Sequence, residues 1–423
     1  MSETAVTGRV VFHPLSIRPD GDSWVIGRVD TGDFAVMPPV ARRVITLLSD
    51  GRTVGEAAQA LRAETGTEFA VAGFVTALDE LGFVAALDGE PRPGPQPVSP
   101  TLPWLRPRHV RWTLHPVTAW LTLAVITAAG VLMVAEPSLV PRYHALVWSR
   151  YSGLVLLVNA VLAWLLVFGH ECGHLVTARA AGVPSRMSLG TRLQFLAAQT
   201  DVSGVWAAPR RIRWTVYLAG GAVSLLIGAA CVLAEPLTSP GGLARHILAV
   251  TVLESVLSLP IELLIFMRTD VYFLVQDIAG CANLYADGSA YVRYLARRVL
   301  RRDPAAPDPS RTLPLRERRA VRAYSVLLLA GTLTTIAIAV VITVPAVVAL
   351  VAHSIGELTN VNPAVKLDGL AAAIVIIGIQ AAWARAWWRR HGGQVRGYMR
   401  SRARGNPGSE LREGGDLNAA QGG

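Results

Sequence analysis

Two histidines and a glutamate carry the clearest chemical signal in this chain. His170-Glu171-Cys172-Gly173-His174 follows directly on an apolar run, YSGLVLLVNAVLAWLLVFG, from Tyr151 to Gly169. Residues four apart on a helix lie one above the other on one face, so His170 and His174 can offer two imidazole nitrogens to one zinc ion. Glu171 beside them can take a proton from water activated at that ion. Ionisable side chains are costly in hydrocarbon and usually mark function there. Cys172 sits in a variable position, turned away from the histidines, and reads as packing. With Cys231 and Cys281 it makes three scattered cysteines and no disulfide framework.

A catalytic zinc takes three protein ligands and keeps one position open. Four acids compete for the third place: Asp201, Glu262, Asp270 and Asp368. Ranking them requires the elements that hold them.

With 423 residues, 52% of them hydrophobic and only 17% charged, the chain reads as an α-helical polytopic membrane protein in the lipid bilayer of the cell membrane. Six apolar runs, near 117–135, 151–170, 214–234, 244–266, 323–351 and 369–387, are each long enough to cross a core of about 30 Å. Arg-rich connections near 176–213, 267–322 and 388–404 alternate with the arginine-poor EPLTSPGGLAR and HSIGELTNVNPAVKLDG. The N-terminal stretch MSETAVTGRVVFHP lacks the layout of a signal peptide. A cytoplasmic N-terminal domain and C-terminal tail then satisfy the positive-inside rule, with Arg142 and Arg150 the exceptions.

In that topology span two runs inward, so the histidines lie at its cytoplasmic end, and span four brings Asp270 to the same depth. Glu262, two helical turns deeper, can face the same cavity as ligand or relay. Asp201 lies in RLQFLAAQTDVSGVW, an alternating stretch that reads as a hairpin near the site. Asp368, in a Leu-Asp-Gly sequence, begins span six from the opposite face and is expected to be a decoy. Asp270 leads, with Glu262, Asp201 or water as the other choices. Gly220, Gly221, Ser224, Gly228 and Ala229 in span three would let it approach the metal-bearing helix closely. Pro260 should kink or unwind span four near its end.

Residues 1–87 form a separate unit. GRVVFHPLSIR, DSWVIGRV and DFAVM read as strands with turns at Asp20-Gly21 and Thr31-Gly32. Three helical patterns follow, the second opened by the capping-box spacing Thr53-x-x-Glu56, and FVAAL can return as a strand. This is a small α+β, winged-helix-like arrangement. Residues 1–90 hold seven Arg against thirteen Asp plus Glu, net −6, so the rest carries +16 of the total +10. An acidic winged helix lacks the basic face a nucleic-acid partner demands. Residues 88–116 are a stiff, proline-rich linker, residues 117–390 the membrane domain, and residues 391–423 a basic, then disordered tail.

The stretch GDSWVIGRVDTGDFAVMPPVARRVITLLSDGRTVGEAAQAL and the later FVTALDELGFV resemble the pyrroloquinoline-quinone D-type domain, a recognition element for leader peptides of modified-peptide biosynthesis. The resemblance implies capture of a peptide as an added strand on a sheet edge. Residues 164–288 resemble the site-2-protease-like membrane metallopeptidases, through His170-Glu171-Cys172-Gly173-His174, LVTARAAGVP, Leu218-Ala219-Gly220 and RTDVYFLVQDIAGCANL. That resemblance implies an Asp followed by Gly-Tyr as third ligand, close after an Asn-Pro pair. Asp270 and Tyr272 match it, whereas Val271 replaces the Gly and Leu264-Ile265 stand in place of Asn-Pro. The expected function is a zinc-dependent intramembrane endopeptidase, with His170, His174 and Asp270 as metal ligands and Glu171 as catalytic base. Its substrate is a peptide or membrane-anchored chain in modified-peptide maturation or export, with export or peptide-modifying proteins as partners. Rival expectations are a non-catalytic membrane receptor for a leader peptide, and an ion or proton carrier using Glu254, Glu262 and the histidines.

Overall fold

The computed structural model describes residues 8–192, 195–281, 283–300 and 306–403. The N-terminal unit begins with strands β1 (Val10–Phe12), β2 (Ser16–Asp20), β3 (Ser23–Arg28) and β4 (Asp33–Met37). β2, β3 and β4 form an antiparallel meander in which Ile17 faces Ile26 and Ile26 faces Ala35. Its turns fall where the Asp-Gly and Thr-Gly pairs place them: Gly21 and Gly32 have φ of 59° and 81°, a region that disfavours a Cβ.

Helices α1 (Pro39–Ser49), α2 (Val54–Thr65) and α3 (Val71–Glu80) cover one face of the meander. The capping box forms as spaced: Glu56 N–H donates to Thr53 Oγ1 at 3.3 Å, and Thr53 N–H to Glu56 Oε2 at 2.8 Å. Strand β5 (Val84–Leu87) returns and pairs with β1, with the short β6 (Glu90–Pro91) on its other side. Ile26, Val44, Leu48, Leu61, Leu78 and Phe83 make a closed core.

The unit is docked on the apolar one, not swung on a free linker. β3 is buried on both faces, since Val25, pointing away from the helices, is as enclosed as Ile26. Across that face lies the 3₁₀ turn Ser203–Ala207. A Cβ on Gly32 would stand 2.9 Å from Ser203 Cβ, and one on Gly204 2.9 Å from the Val29 carbonyl. The linker is strapped near its middle to both units: Val98 N–H donates to the Asp30 carbonyl at 2.7 Å, and Thr101 N–H to the Ser185 carbonyl at 3.0 Å.

After the short α4 (Pro107–Val110), the chain runs through α5 (Pro116–Ala135), α6 (Ser152–Ala180), a hairpin of β7 (Arg186–Arg192) and β8 (Phe195–Asp201), α7 (Arg210–Ala234) and α8 (Leu243–Glu262). Then come α9 (Asp270–Ala279), α10 (Leu284–Val299), α11 (Leu315–Ile338), α12 (Val344–Leu358) and α13 (Pro363–Ala403). Six stretches among these are long and apolar enough to cross a membrane: α5, α6, residues 210–237, α8, the rod 315–358 made by α11 and α12, and residues 363–393. α11 continues into α12 through a π-helical turn at Ala339–Thr343.

Two expectations shift. α8 stops at Glu262, two residues past Pro260, instead of running to 266: Leu263 and Leu264 N–H donate to the carbonyls three residues back, of Pro260 and Ile261, at 3.2 and 3.0 Å, a tighter 3₁₀-type closure. α13 passes residue 391 without a break and stays helical to Ala403, since Arg, Gln and Met are good helix formers. The expected disordered end, residues 404–423, lies outside the described residues.

Candidate metal centre

His170 and His174 sit near the end of α6, and the apolar run ahead of them is the reason they share a helix face. Their Nε2 atoms are 3.2 Å apart. Asp270, the first residue of α9, places Oδ2 2.9 Å from His170 Nε2 and 2.7 Å from His174 Nε2. His170, His174 and Asp270 form a candidate metal-holding group among the described residues, although the aspartate is 96 positions away from His174 in sequence.

The outer contacts fix how the rings face. His174 Nδ1 lies 2.7 Å from the Val216 carbonyl, which can only accept, so Nδ1 carries the proton. In a neutral ring Nε2 then shows a lone pair to a carboxylate oxygen. The 2.7 Å contact to Asp270 Oδ2 is satisfied either by a proton on Nε2, as a charge-assisted hydrogen bond, or by a cation that both atoms hold. His170 Nδ1 is 3.2 Å from Ser224 Oγ, so both rings turn Nε2 toward the same point.

Tetrahedral zinc with bonds of about 2.0–2.1 Å has ligand-to-ligand edges of about 3.3 Å. The edges here, 3.2, 2.9 and 2.7 Å, need only a small outward shift. Two imidazole nitrogens and one carboxylate oxygen are also the donor set of catalytic zinc, which keeps a fourth position open. The residues present fit the ion.

α7 closes on α6 through Gly220, as expected of span three, whereas Gly228 faces α8. A Cβ on Gly220 would lie 2.3 Å from His174 Nε2 and 2.4 Å from His170 Nε2, in the space the ion needs. One on Gly173 would meet the Ala219 carbonyl at 2.8 Å. Gly228 gives the same closeness to α8, where its Cβ would stand 2.9 Å from that of Ser255.

The remaining sequence candidates sort by position. Glu171 is buried, and its carbonyl accepts Thr200 Oγ1 of β8 at 3.2 Å, so the hairpin abuts the motif as expected. Leu193 and Gln194 at its tip lie outside the described residues. Glu262 faces the cluster, with Oε1 3.8 Å from His170 Nε2. Asp201 is spent on a turn, accepting from Ser203 N–H at 3.0 Å and Ser203 Oγ at 2.6 Å. Asp368 caps the opposite end of α6, accepting Leu154 N–H at 2.9 Å. That end is about 25 Å from the histidines at 1.5 Å per residue. Cys172 is half-buried and unbridged. Glu254 lies about two turns up α8 from Glu262.

Sequence reading missed the fastening of α9. Asp277 is ion-paired with buried Arg213 of α7, accepts Trp214 Nε1 at 2.6 Å, and its carbonyl accepts Arg210 Nη2 at 2.8 Å. Its spacing of two turns from Asp270, opposite the RRIRW start of span three, was the available signal. Tyr272 is buried, and its hydroxyl accepts Tyr285 N–H at 2.9 Å, tying α9 to α10.

No family model, curated protein or solved structure matches this chain.

Proposed function

We propose that this chain is a zinc-dependent intramembrane endopeptidase acting on a peptide or membrane-anchored substrate. The observation that carries the reading is the convergence of His170 Nε2, His174 Nε2 and Asp270 Oδ2 within 3.2 Å, with the His174 ring fixed by the Val216 carbonyl. Bound zinc would supply Lewis acidity, polarising a carbonyl and acidifying water at neutral pH.

The protein's own groups do the rest. His170, His174 and Asp270 hold the ion, and Val216 and Ser224 hold the rings. Glu171 accepts a proton as water oxygen bonds to the scissile carbonyl carbon, then returns it to the amide nitrogen as the C–N bond breaks. The β7–β8 hairpin, bonded to Glu171 through Thr200, offers strand backbone against which an extended substrate can pair.

In this reading all six apolar helices span the cell membrane, the N-terminal unit and the tail face the cytoplasm, and the N-terminal unit holds a leader peptide. Its docking beside the hairpin favours delivery to the site over a long-tether search. The test is zinc content of the purified protein together with cleavage of peptides encoded beside its gene, wild type against Glu171→Ala. Stoichiometric zinc with cleavage lost in the variant supports the enzyme. Val271 and Leu264-Ile265, where the resemblance implies Gly and Asn-Pro, favour the second reading, a non-catalytic leader-peptide receptor; absence of zinc in both proteins would select it.

A further inference from the structure

Asp270 reaches the centre by an irregular route. Between α8 and α9 the chain makes a 3₁₀ turn at Ile265–Met267 and then places Arg268 in the left-handed region at φ 59°. A ligand at a loop-to-helix junction is the least constrained of the three. A misplacement of about 1 Å can cost a site about 10²-fold.

Two hydrogen bonds close this excursion on one residue. Thr269 Oγ1 donates to the Glu262 carbonyl at 2.6 Å, and Asp270 N–H donates to Glu262 Oε2 at 3.2 Å. Thr269 is buried. The other carboxylate oxygen, Oε1, stands 3.8 Å from His170 Nε2, beside the ligands but beyond hydrogen-bond reach. An ordinary helix cap comes from within the first turn of its own helix. This one comes from the end of the preceding helix, across the loop, with its second oxygen turned to the metal ligands.

We propose that Glu262 is the positioning residue for Asp270, clasping the α8–α9 connection so that the third ligand meets the two histidines. The inference rests on the metal-centre reading above. Glu262 acts through Asp270 and its loop, by hydrogen bonding of its carboxylate and its main chain.

The experiment uses the full-length protein in detergent. Zinc affinity is measured by competition with a chelator, and the ligand field by the visible absorption of the cobalt(II) form. Glu262→Ala should weaken zinc binding about 10- to 100-fold, the range for a lost outer-shell partner, and change the cobalt spectrum. Glu262→Gln keeps an oxygen to accept the Asp270 N–H and should recover most of that loss. Combined with Asp270→Ala, Glu262→Ala should add less than about twofold, because residues acting as one unit are not additive. Thr269→Val removes only the other half of the clasp and should give a smaller loss in the same direction, which keeps the test decisive if Glu262→Ala does not fold.

Parental zinc affinity and cobalt spectrum in a folded Glu262→Ala overturn the inference. So do a full additional loss on the Asp270→Ala background, a Glu262→Gln as weak as Glu262→Ala, and parental affinity in Thr269→Val. A parent protein that binds neither zinc nor cobalt defeats the metal centre itself, and this inference with it.

Discussion

In the N-terminal unit Ile26, Leu78 and Phe83 are sealed in by neighbours from the same short stretch of chain, and the charged groups other than Arg28 lie outside. The apolar helices invert that order. Trp120, Leu121 and Val341 face outward, while His174, Glu171 and Arg213 are among the most enclosed side chains. The first unit excludes water by burying hydrocarbon, as soluble domains do. The second has hydrocarbon to spare on its surface and encloses polar groups at glycine-lined approaches between helices. Damage should therefore act differently in the two. A core truncation should loosen the first unit as a whole, whereas one methyl group in the wrong place should empty the metal site and leave the helices standing.

The largest expected effect is on the ligands. His174→Ala should abolish stoichiometric zinc, read by elemental analysis of purified protein, while hydrogen exchange across α1 to α3 stays as in the parent. Loss of protection in both regions together would mean that the units are one cooperative body. Gly220→Ala tests the packing claim directly. Its Cβ would occupy the space between the two Nε2 atoms, so zinc should be lost although no ligand has changed. Retained zinc would show that α7 can back away.

Glu171→Gln should keep zinc and lower cleavage by about 10²- to 10⁴-fold, the contribution of a positioned proton acceptor. In the N-terminal unit, Leu48→Ala removes a fully enclosed side chain and should cost about 2–5 kcal/mol, seen as faster exchange in α1 to α3 with zinc content unchanged.

The smallest effect concerns acid. Asp30 accepts from Arg28 at 3.1 and 2.7 Å, and this bonding holds its carboxyl below the usual carboxylate range. A depressed carboxyl contributes stability above its unfolded value and loses it as pH falls through the folded one. Exchange protection of the N-terminal unit should therefore fall on acidification, and Asp30→Asn should flatten part of that fall.

Much of the fold was legible because its signals are local. Thr53 and Glu56 form their box across three residues, Gly21 and Gly32 turn the meander where their φ is needed, and each apolar run announces its own helix. The histidine pair belongs to this class, since helical periodicity alone stacks positions 170 and 174. Asp270 was reachable by a depth argument, and the same argument expected Asp368 apart from the histidines, where it lies, at the other end of α6. Asp277 offered only its spacing from Asp270 and the basic start of span three, and a single acid in an amphipathic stretch does not say which arginine on another helix it will meet.

Docking of the N-terminal unit escaped for a related reason. The run Trp24-Val25-Ile26 puts apolar residues on both faces of β3, but nothing in it says that Ser203–Ala207 is what covers the second face.

From its residues alone this chain declares six apolar helices, a small mixed unit ahead of them, and two imidazoles with a glutamate on one helix. These follow from periodicity, hydropathy and turn chemistry, all of which act over a few residues. Which carboxylate joins the histidines, how Gly220 opens the space among them, and which groups brace α9 were decided by tertiary packing. Those contacts join residues dozens of positions apart, and only the close approach of three helices brings them within reach of one ion.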